Sequence, residues 1–331
     1  MKASQLLTKT RFGPLFWTLF FGAFNDNFLK NALIILITYK SLNVWGLPAS
    51  QMVALSGGIF ILPFFLFSFL SGQVADKFEK AMLVRFTKWF EVILMLIAAW
   101  GFYYETYGLL MFVLFLMGVH STFFGPLKYS ILPQHLSREE LVLGNALVET
   151  GTFIAILFGT IAGGVMISIQ PQGAFFTGLG LVVAALVGLV ASYFIPKAES
   201  FVPDLKISFS PVAPLKETFA IMQKTRSVFL SILGISWFWL FGGSILSVLP
   251  TYTKEVLGSE AQVITWFLAL FTIGIGVGSM LCEKLSFERL ELGLVPLGSI
   301  GITIFTADLY FLDIPVTHTA YGIFELLNTT T

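Results

Sequence analysis

Residues 71–85 read SGQVADKFEKAMLVR, a short charged stretch between two long apolar runs. The flanking runs, near 50–71 and 82–103, each have about the roughly 20 residues that an α-helix needs to cross a bilayer. A compact charged segment between two such runs is typical of the connection between consecutive membrane helices. The stretch therefore predicts a tight polar loop at one membrane surface.

The composition extends this interpretation to the whole chain. Of 331 residues, 56% are hydrophobic, 16% aromatic and 11% charged, whereas a soluble domain carries about a quarter charged residues. The sequence therefore predicts an all-α polytopic membrane protein. Its formal net charge is zero and it has no basic block, which argues against nucleic acid as a partner. One cysteine and three widely spaced histidines predict neither a disulfide framework nor a metal site, and no cofactor motif is present.

A long break divides the apolar runs into two sets. Residues 196–226 are long, charged and Pro-containing, and we expect them to connect an N-terminal bundle, 1–195, to a second bundle, 227–331, of about three to four helices. The second set is incomplete, which favours a shortened form or the front part of a longer protein. Apolar runs fall near 14–39, 50–71, 82–103, 107–127, 143–169, 174–195, 227–250, 261–282 and 292–312, with a tenth from Thr319 to Thr331.

Basic residues predict the orientation. With the N-terminus inside, sixteen Lys and Arg fall in cytoplasmic segments and only Lys40 and Lys254 fall outside. That bias agrees with the positive-inside rule and predicts a cytoplasmic N-terminus. The first apolar run is too long for a signal peptide and lacks a clear cleavage site, so we expect it to be retained as a helix.

Six helices, a connector and a second set resemble the plan of the major facilitator superfamily, whose halves are related repeats. The stretch 71–85 resembles that superfamily's signature loop, and GSMLCEKLS, 278–286, lies at the matching point of the second half. The resemblance implies that Gly72 permits close helix approach and that Asp76 caps the third helix, while the basic residues pair with carboxylates in a closed state. The residues that carry it are Gly72, Asp76, Lys77, Lys80, Arg85, Glu283 and Lys284.

A narrower resemblance rests on GAFNDNFLKNAL (22–33), GQVADKF (72–78), FFGPLKYSILPQ (123–134) and NALVETGTFIAILFGTIAGGVM (145–166). These stretches resemble the lysophospholipid transporter family. The resemblance implies movement of lysophosphatidylethanolamine from the outer to the inner leaflet of the bacterial inner membrane. It also implies re-acylation by an acyltransferase and acyl-carrier-protein synthetase, as a partner or a fused region. Members of the family typically carry a basic residue in the seventh helix, and residues 237–250 have none.

The polar residues of GAFNDNFLKN lie at mid-bilayer depth. Asp26 is about 13 residues into the first helix, roughly 20 Å at 1.5 Å per residue, and Lys30 follows one turn later. Burying either charge alone costs about 2.5–3.5 kcal/mol on the insertion scale. Three roles stay open for these residues: binding of a zwitterionic headgroup, a structural ion pair that neutralises itself, or a proton-coupling site. The candidate substrate-binding residues are Asn25, Asp26, Asn27, Lys30 and Asn31.

A second group lies towards the cytoplasmic side. Lys128 and Glu149 stand on consecutive antiparallel helices, so they are a candidate gate pair, and Asn145 shares a helix face with Glu149. Lys128 could equally reach lipid phosphate. Glu91 is expected to belong to the signature-loop network, and His120 to be a satisfied structural histidine. Asp308 is a lesser candidate.

The favoured interpretation is an alternating-access lysophospholipid transporter and not an enzyme. No Walker motif is present, and no His is followed by an Asp five residues later, as an acyltransferase would need. Two alternatives stay open, namely a proton-coupled small-solute or drug transporter of the same superfamily and a membrane anchor for fused acylating enzymes. An anchor alone would not need Asp26 and Lys30 at mid-membrane.

Overall fold

The computed structural model describes residues 3–40, 46–210, 216, 219–220, 222–285 and 293–311. Every predicted apolar run from 14 to 312 coincides with a helix, and the tenth run, from Thr319, lies outside the described residues. The helices are α1 (Ala3–Leu7), α2 (Gly13–Tyr39), α3 (Ala49–Lys77), α4 (Lys80–Tyr103), α5 (Tyr107–His135), α6 (Arg138–Ser168), α7 (Gly173–Tyr193), α8 (Arg226–Glu255), α9 (Ala261–Leu285) and α10 (Leu294–Phe311).

The charged stretch 71–85 is more helical than predicted. Helix α3 continues to Lys77 and α4 begins at Lys80, so Phe78 and Glu79 alone connect them. Glu79, not Asp76, caps α4, because its carboxylate accepts hydrogen bonds from the backbone N–H groups of Ala81 and Met82. The expected cap at Asp76 is therefore wrong. Asp76 lies inside α3, one residue before that helix ends.

Helix α2 lies at the centre of a bundle formed by α2–α7, packing against α6 and α7, while α3 packs on α5 and α4 on α7. Glycines permit the close approach of α2 and α6. A Cβ on Gly159 would lie 2.3 Å from Phe24 O, and one on Gly163 would lie 2.6 Å from Phe28 O. These two glycines therefore hold the polar face of α2 against α6.

Two ends of the molecule are distinguished by named residues. We call the end at which α2 begins the Arg11 side and the end at which it finishes the Lys40 side. On the Lys40 side, Tyr39 donates a hydrogen bond to Ser259 O at 2.8 Å, and Lys254 donates one to Thr38 O at 2.6 Å. Helices α8 and α9 are thus joined to the α2–α7 bundle on the Lys40 side.

The Arg11 side differs. Side chains of α8 from Arg226 to Leu240 are exposed, except for the partly buried Ile232. The start of α8 therefore lies away from the α2–α7 bundle, and a cavity adjoins the part of α8 from Trp239 to Pro250. In the described part of the chain, the two helix groups meet on the Lys40 side and are separated on the Arg11 side.

Within the described residues, six helices are long and apolar enough to cross a membrane. Their outward side chains include many large exposed hydrophobic residues, such as Phe65, Phe112 and Phe305. Such a continuous apolar exterior suits lipid and not water. The protein is a multi-pass membrane protein. The spans are Ala49–Lys77, Tyr107–His135, Leu143–Ser168, Gly173–Tyr193, Arg226–Glu255 and Leu294–Phe311.

Candidate functional site

A cavity of about 320 Å³ lies between the α2–α7 bundle and helices α8 and α9. Its walls are mostly apolar, with Phe60 and Trp239 on opposite sides. One face of α2 contributes Asn27, Lys30 and Asn31, because positions three and four apart lie on the same side of a helix. Among the described residues that line the cavity, Lys30 is the one charged side chain.

Lys30 has no counter-ion in direct contact. Its ammonium lies 5.0 Å from the centroid of the Phe60 ring, and no described carboxylate lies within the 4.0 Å of an ion pair. An ammonium over an aromatic face gains some cation–π attraction, but this does not replace a hydrogen-bonded anion. The cavity therefore presents a positive charge in apolar surroundings.

The two asparagines on this face are anchored through their amide nitrogens. Asn27 donates to Ala23 O at 2.8 Å within α2, and Asn31 donates to Thr160 O of α6 at 2.6 Å. Asn31 Oδ1 is buried and has no partner in the described part of the chain. A buried polar atom without a partner is costly, so the amide of Asn31 is only partly satisfied by the described residues.

Asn25 and Asp26 do not line the cavity. Asn25 is buried and donates to Glu91 at 2.9 Å and to Leu181 O at 3.2 Å. Asp26 accepts a hydrogen bond from Ser121 at 2.8 Å, and its Oδ1 is buried without a partner among the described residues. At about 100° per residue, Asn25 lies about 140° round α2 from Lys30. Asp26 lies one turn before Lys30 on the same side of the helix, but its carboxylate is hydrogen-bonded to Ser121 of α5 and does not reach the cavity. Of the five candidate substrate-binding residues, Asn27, Lys30 and Asn31 line this cavity.

A buried charged cluster lies inside the α2–α7 bundle. Lys88 and Glu91 of α4 form an ion pair with both side chains fully buried. His120 Nε2 of α5 lies 3.3 Å from Glu91 Oε2, and Asn25 approaches the other carboxylate oxygen. Glu91 thus belongs to the bundle interior and not to the signature-loop network, contrary to expectation. Lys88, counted as a cytoplasmic lysine, is also buried.

The expectation of a satisfied structural histidine also fails for His120. Neither of its ring nitrogens makes a geometrically good hydrogen bond to a described residue. Its ring stacks on Phe124 with centroids 5.5 Å apart. Sequence reasoning had no means to find this cluster, because its members come from three helices whose rotation about their axes is fixed only by packing.

The signature residues on the Arg11 side contact the chain that follows α7. Lys80 donates to Glu199 O at 2.7 Å and lies 3.7 Å from the centroid of the Phe201 ring. Arg85 donates to Ile195 O at 3.1 Å, and the carbonyl of Asp76 accepts from Phe201 N at 3.0 Å. The expected partners of these basic residues were carboxylates; here they are backbone carbonyls, because residues 195–202 lie across the α3–α4 connection.

The remaining signature-loop residues are Gly72, Lys77, Glu283 and Lys284. A Cβ on Gly72 would meet nothing within 4 Å, so no close helix approach requires this glycine here. Lys77 lies 5.9 Å from the Phe78 ring centroid. Glu283 and Lys284 stand on α9, but their side chains lie outside the described residues.

Lys128 and Glu149, the candidate gate pair, lie close enough to form an ion pair, as their positions on consecutive helices predict. Lys128 of α5 lies 3.0 Å from Glu149 of α6 and also donates to Thr152 at 3.1 Å, while Tyr129 donates to Glu149 at 2.5 Å. Asn145 is exposed and donates within α6 to Leu141 O. Both members of the ion pair belong to the α2–α7 bundle, so the pair does not bridge to α8 or α9 in this conformation. Asp308 is exposed on α10.

Four further residues that no sequence pattern singled out also line the cavity, namely Thr160, Trp239, Ser247 and Thr272. Each is a common residue in an apolar helix, and only the packing of α8 and α9 on the bundle brings them to Lys30. A bilayer-spanning bundle with a mostly apolar cavity between two helix groups, into which a charged side chain projects, is the architecture of a membrane carrier.

Comparison with known families agrees with this architecture. The family model described as Major Facilitator Superfamily matches residues 15–327. The chain belongs to the major facilitator superfamily.

Curated relatives are similar over most of the chain. It is 28% identical over 313 residues to the lysophospholipid transporter of Enterobacter sp. (strain 638), covering 93% of this chain and 74% of the relative. It is 30% identical over 271 residues to the lysophospholipid transporter of Pectobacterium carotovorum subsp. carotovorum (strain PC1), covering 80% and 62%. The corresponding protein of Yersinia enterocolitica is 31% identical over 268 residues, covering 78% and 61%. The chain thus spans about three fifths to three quarters of the length of these relatives.

Proposed function

We infer that the protein is an alternating-access transporter that moves a lysophospholipid of the lysophosphatidylethanolamine type across the bacterial inner membrane. Transport would run from the outer to the inner leaflet, and the N-terminus would lie in the cytoplasm. The transported lipid would then be re-acylated by an acyltransferase and acyl-carrier-protein synthetase, which is a partner or a fused region. The relatives named above are lysophospholipid transporters by name, and their similarity supports this substrate class.

The observation that carries the proposal is the ammonium of Lys30 in an apolar cavity, with no carboxylate partner among the described residues. An uncompensated lysine inside a membrane costs about 2.5–3.5 kcal/mol on the insertion scale, and a bound anion offsets that cost. A phosphodiester is such an anion and forms charge-assisted hydrogen bonds with an ammonium. Asn27 and Asn31 stand beside Lys30 to orient the polar group.

The size and lining of the cavity favour a lipid headgroup over a large polar solute. A volume of about 320 Å³ lies at the lower end of the range for small-molecule pockets, roughly 300–1,000 Å³. It accommodates a glycerophosphate headgroup while the acyl chain lies against apolar helix surface or lipid. The apolar walls around Lys30 support an amphiphile with one anionic end.

In the proposed mechanism, the lipid headgroup crosses the membrane by alternating access. The contacts on the Lys40 side and the separation on the Arg11 side suit a state open to the cytoplasm. We propose that the N-terminal bundle, 1–195, rocks against the second bundle, 227–331, while residues 196–226 connect them. Rocking would close the Arg11 side and open the Lys40 side, carrying the headgroup across. Lys128 and Glu149 are candidate headgroup or gate contacts along the cytoplasmic part of this path.

The test is translocation of labelled lysophosphatidylethanolamine in proteoliposomes, compared with protein-free liposomes. We expect the protein to speed transfer between leaflets, and unlabelled glycerophosphoethanolamine in excess to slow it by occupying Lys30. Transfer no faster than in protein-free liposomes, with or without a proton gradient, would exclude the lipid assignment. Transfer of a water-soluble solute in place of the lipid would favour the small-solute alternative.

A further inference from the structure

The described wall of the cavity contains a fixed cation and no fixed anion. Lys30 is the one charged side chain in the part of the wall that the structure describes. The headgroup of lysophosphatidylethanolamine is a zwitterion, with a phosphodiester and a primary ammonium. The phosphodiester has its partner in Lys30, whereas the ammonium needs a partner of another kind.

Aromatic rings are the other groups in this cavity that attract a cation. Four described residues of the wall carry such rings, namely Phe60, Phe153, Trp239 and Phe271. The face of an aromatic ring is electron-rich, so it attracts an ammonium, and the attraction is stronger where water is excluded. One ring already has this role, because the ammonium of Lys30 lies 5.0 Å from the centroid of the Phe60 ring.

Phe60 is a poor site for the ammonium of the substrate. Lys30 lies over its ring, and two ammonium groups beside one ring repel each other. Trp239 belongs to α8, in the other helix group, across the cavity from Phe60. A headgroup whose phosphodiester contacts Lys30 therefore directs its ammonium away from α2 and towards α8.

Trp239 is the ring best suited to this ammonium. Indole binds cations more strongly than a phenyl ring does. Trp239 is 64% exposed, against 37% for Phe271, while Phe60 and Phe153 are partly buried. Residues 237–250 contain no Lys or Arg, so no basic side chain on this part of α8 repels a cation.

We propose that Trp239 is a specificity-determining residue, whose indole ring binds the ammonium of a lysophosphatidylethanolamine headgroup while Lys30 binds the phosphodiester. The contact is noncovalent, so no bond forms or breaks. A lysophospholipid whose headgroup has no cation keeps the contact with Lys30 and gains nothing from the indole. This inference rests on the proposed function and adds recognition of the ammonium to it.

The test compares two lipids in the same proteoliposomes. Lysophosphatidylethanolamine has an ammonium, whereas lysophosphatidylglycerol has the same phosphodiester with an uncharged glycerol beyond it. The measured quantity is the translocation rate of the first lipid divided by that of the second, below half-saturation and after subtraction of the protein-free rates. Trp239→Leu should lower this ratio about 2- to 30-fold, because it removes a cation–π contact from one lipid only.

Three further variants locate the effect. Trp239→Phe keeps a weaker aromatic face, so its ratio should lie between those of the parent and Trp239→Leu. Phe60→Leu removes the ring beside Lys30, which binds the phosphodiester of both lipids, so it should leave the ratio unchanged. Trp237→Leu is the matched control. Trp237 is 57% exposed on the same helix, stacks on Phe241 with ring centroids 5.5 Å apart, and lies outside the cavity wall.

Each outcome decides the question. A parental ratio in Trp239→Leu would overturn the proposal, whether both rates fall together or neither changes. If Trp239→Leu does not fold, a parental ratio in Trp239→Phe would overturn it instead. An equal fall of the ratio in Trp237→Leu would also overturn it, because the effect would then belong to α8 as a whole. Translocation of neither lipid by the unmodified protein would overturn the proposed function as well.

Discussion

Gly164 of α6 and Thr265 of α9 meet across the two helix groups so closely that no side chain fits between them. A Cβ on Gly164 would lie 1.7 Å from Thr265 Oγ1 and 2.7 Å from Thr265 Cβ. The Cβ of Thr265 cannot rotate away, so one helix must shift to accommodate it. This contact is one of those that close the Lys40 side.

Gly164→Ala should therefore favour the state that is open on the Lys40 side. Overpacking of this kind costs roughly 1–3 kcal/mol, which corresponds to a change of about 5- to 150-fold in the ratio of the two states. The measurement is the labelling rate of Ser247→Cys, in the cavity, by an impermeant thiol reagent added from the Lys40 side, with Cys282 replaced by Ser. The rate should rise in the glycine variant.

Gly234→Ala is the matched control, because a Cβ there would meet nothing within 4 Å. Its labelling rate should equal that of the parent. An unchanged rate in Gly164→Ala would show that this contact does not hold the Lys40 side closed.

Glu91→Ala should strongly destabilise the α2–α7 bundle. It leaves the ammonium of Lys88 fully buried without its carboxylate, and breaking a buried ion pair from one side costs about 3–5 kcal/mol. The measurement is the free energy of unfolding from denaturant titration in detergent. Glu105→Ala, which removes the carboxylate of an exposed pair with Lys40, should cost less than about 1 kcal/mol. Equal losses in the two variants would contradict the role given to the buried cluster.

The start of α6 supplies a pH-dependent contribution to stability. Glu140 precedes the apolar span that begins at Leu143. The backbone N–H of Ser137, and secondarily the Arg11 guanidinium, hold the pKa of this carboxyl below its ordinary value of 4.5. Because the folded-state pKa is lowered, the stabilisation is present above the unfolded-state value and is lost as pH falls through the folded-state pKa.

Glu140→Gln keeps a hydrogen-bonding group at this position but removes its charge. The variant should therefore be less stable than the parent at pH 7, and the difference should disappear in acid below the folded-state pKa. Unfolding midpoints measured across this range test the claim. A difference that grows as the pH falls would have the wrong sign.

The positions of the helices along the chain could be predicted from the sequence far better than the direction in which each side chain points. Apolar length alone places α2 through α10, since each run must match the bilayer. The C-terminal ends of α3 and α5, which lie on the Arg11 side, were predicted too early. Helix α5, for instance, continues to His135 rather than ending near 127. Polar residues there extend a helix beyond the hydrocarbon, where hydropathy gives no signal.

The sequence indicated the polar patch on α2 but not which of its side chains line the cavity. Asn27, Lys30 and Asn31 line it, whereas the spacing argument paired Lys30 with Asp26. It could not show that Asn25 turns towards Glu91, because that contact depends on how α2 is rotated against α4 and α7. The burial of Lys88, which was counted among the cytoplasmic basic residues, could not be predicted for the same reason, because it depends on how α4 is rotated against its neighbours.

The central claim is that Lys30 binds the anionic headgroup of a transported lipid, and Lys30→Met tests it most directly. Methionine keeps the unbranched apolar stem and removes the charge. The loss of a charge-assisted hydrogen bond, about 1.5–3 kcal/mol, should slow translocation of lysophosphatidylethanolamine roughly 10- to 150-fold. Lys30→Arg should keep more of the activity than Lys30→Met, and Lys40→Met, which removes an exposed lysine on the Lys40 side, should translocate at the parental rate. Translocation by Lys30→Met at the parental rate would contradict the account.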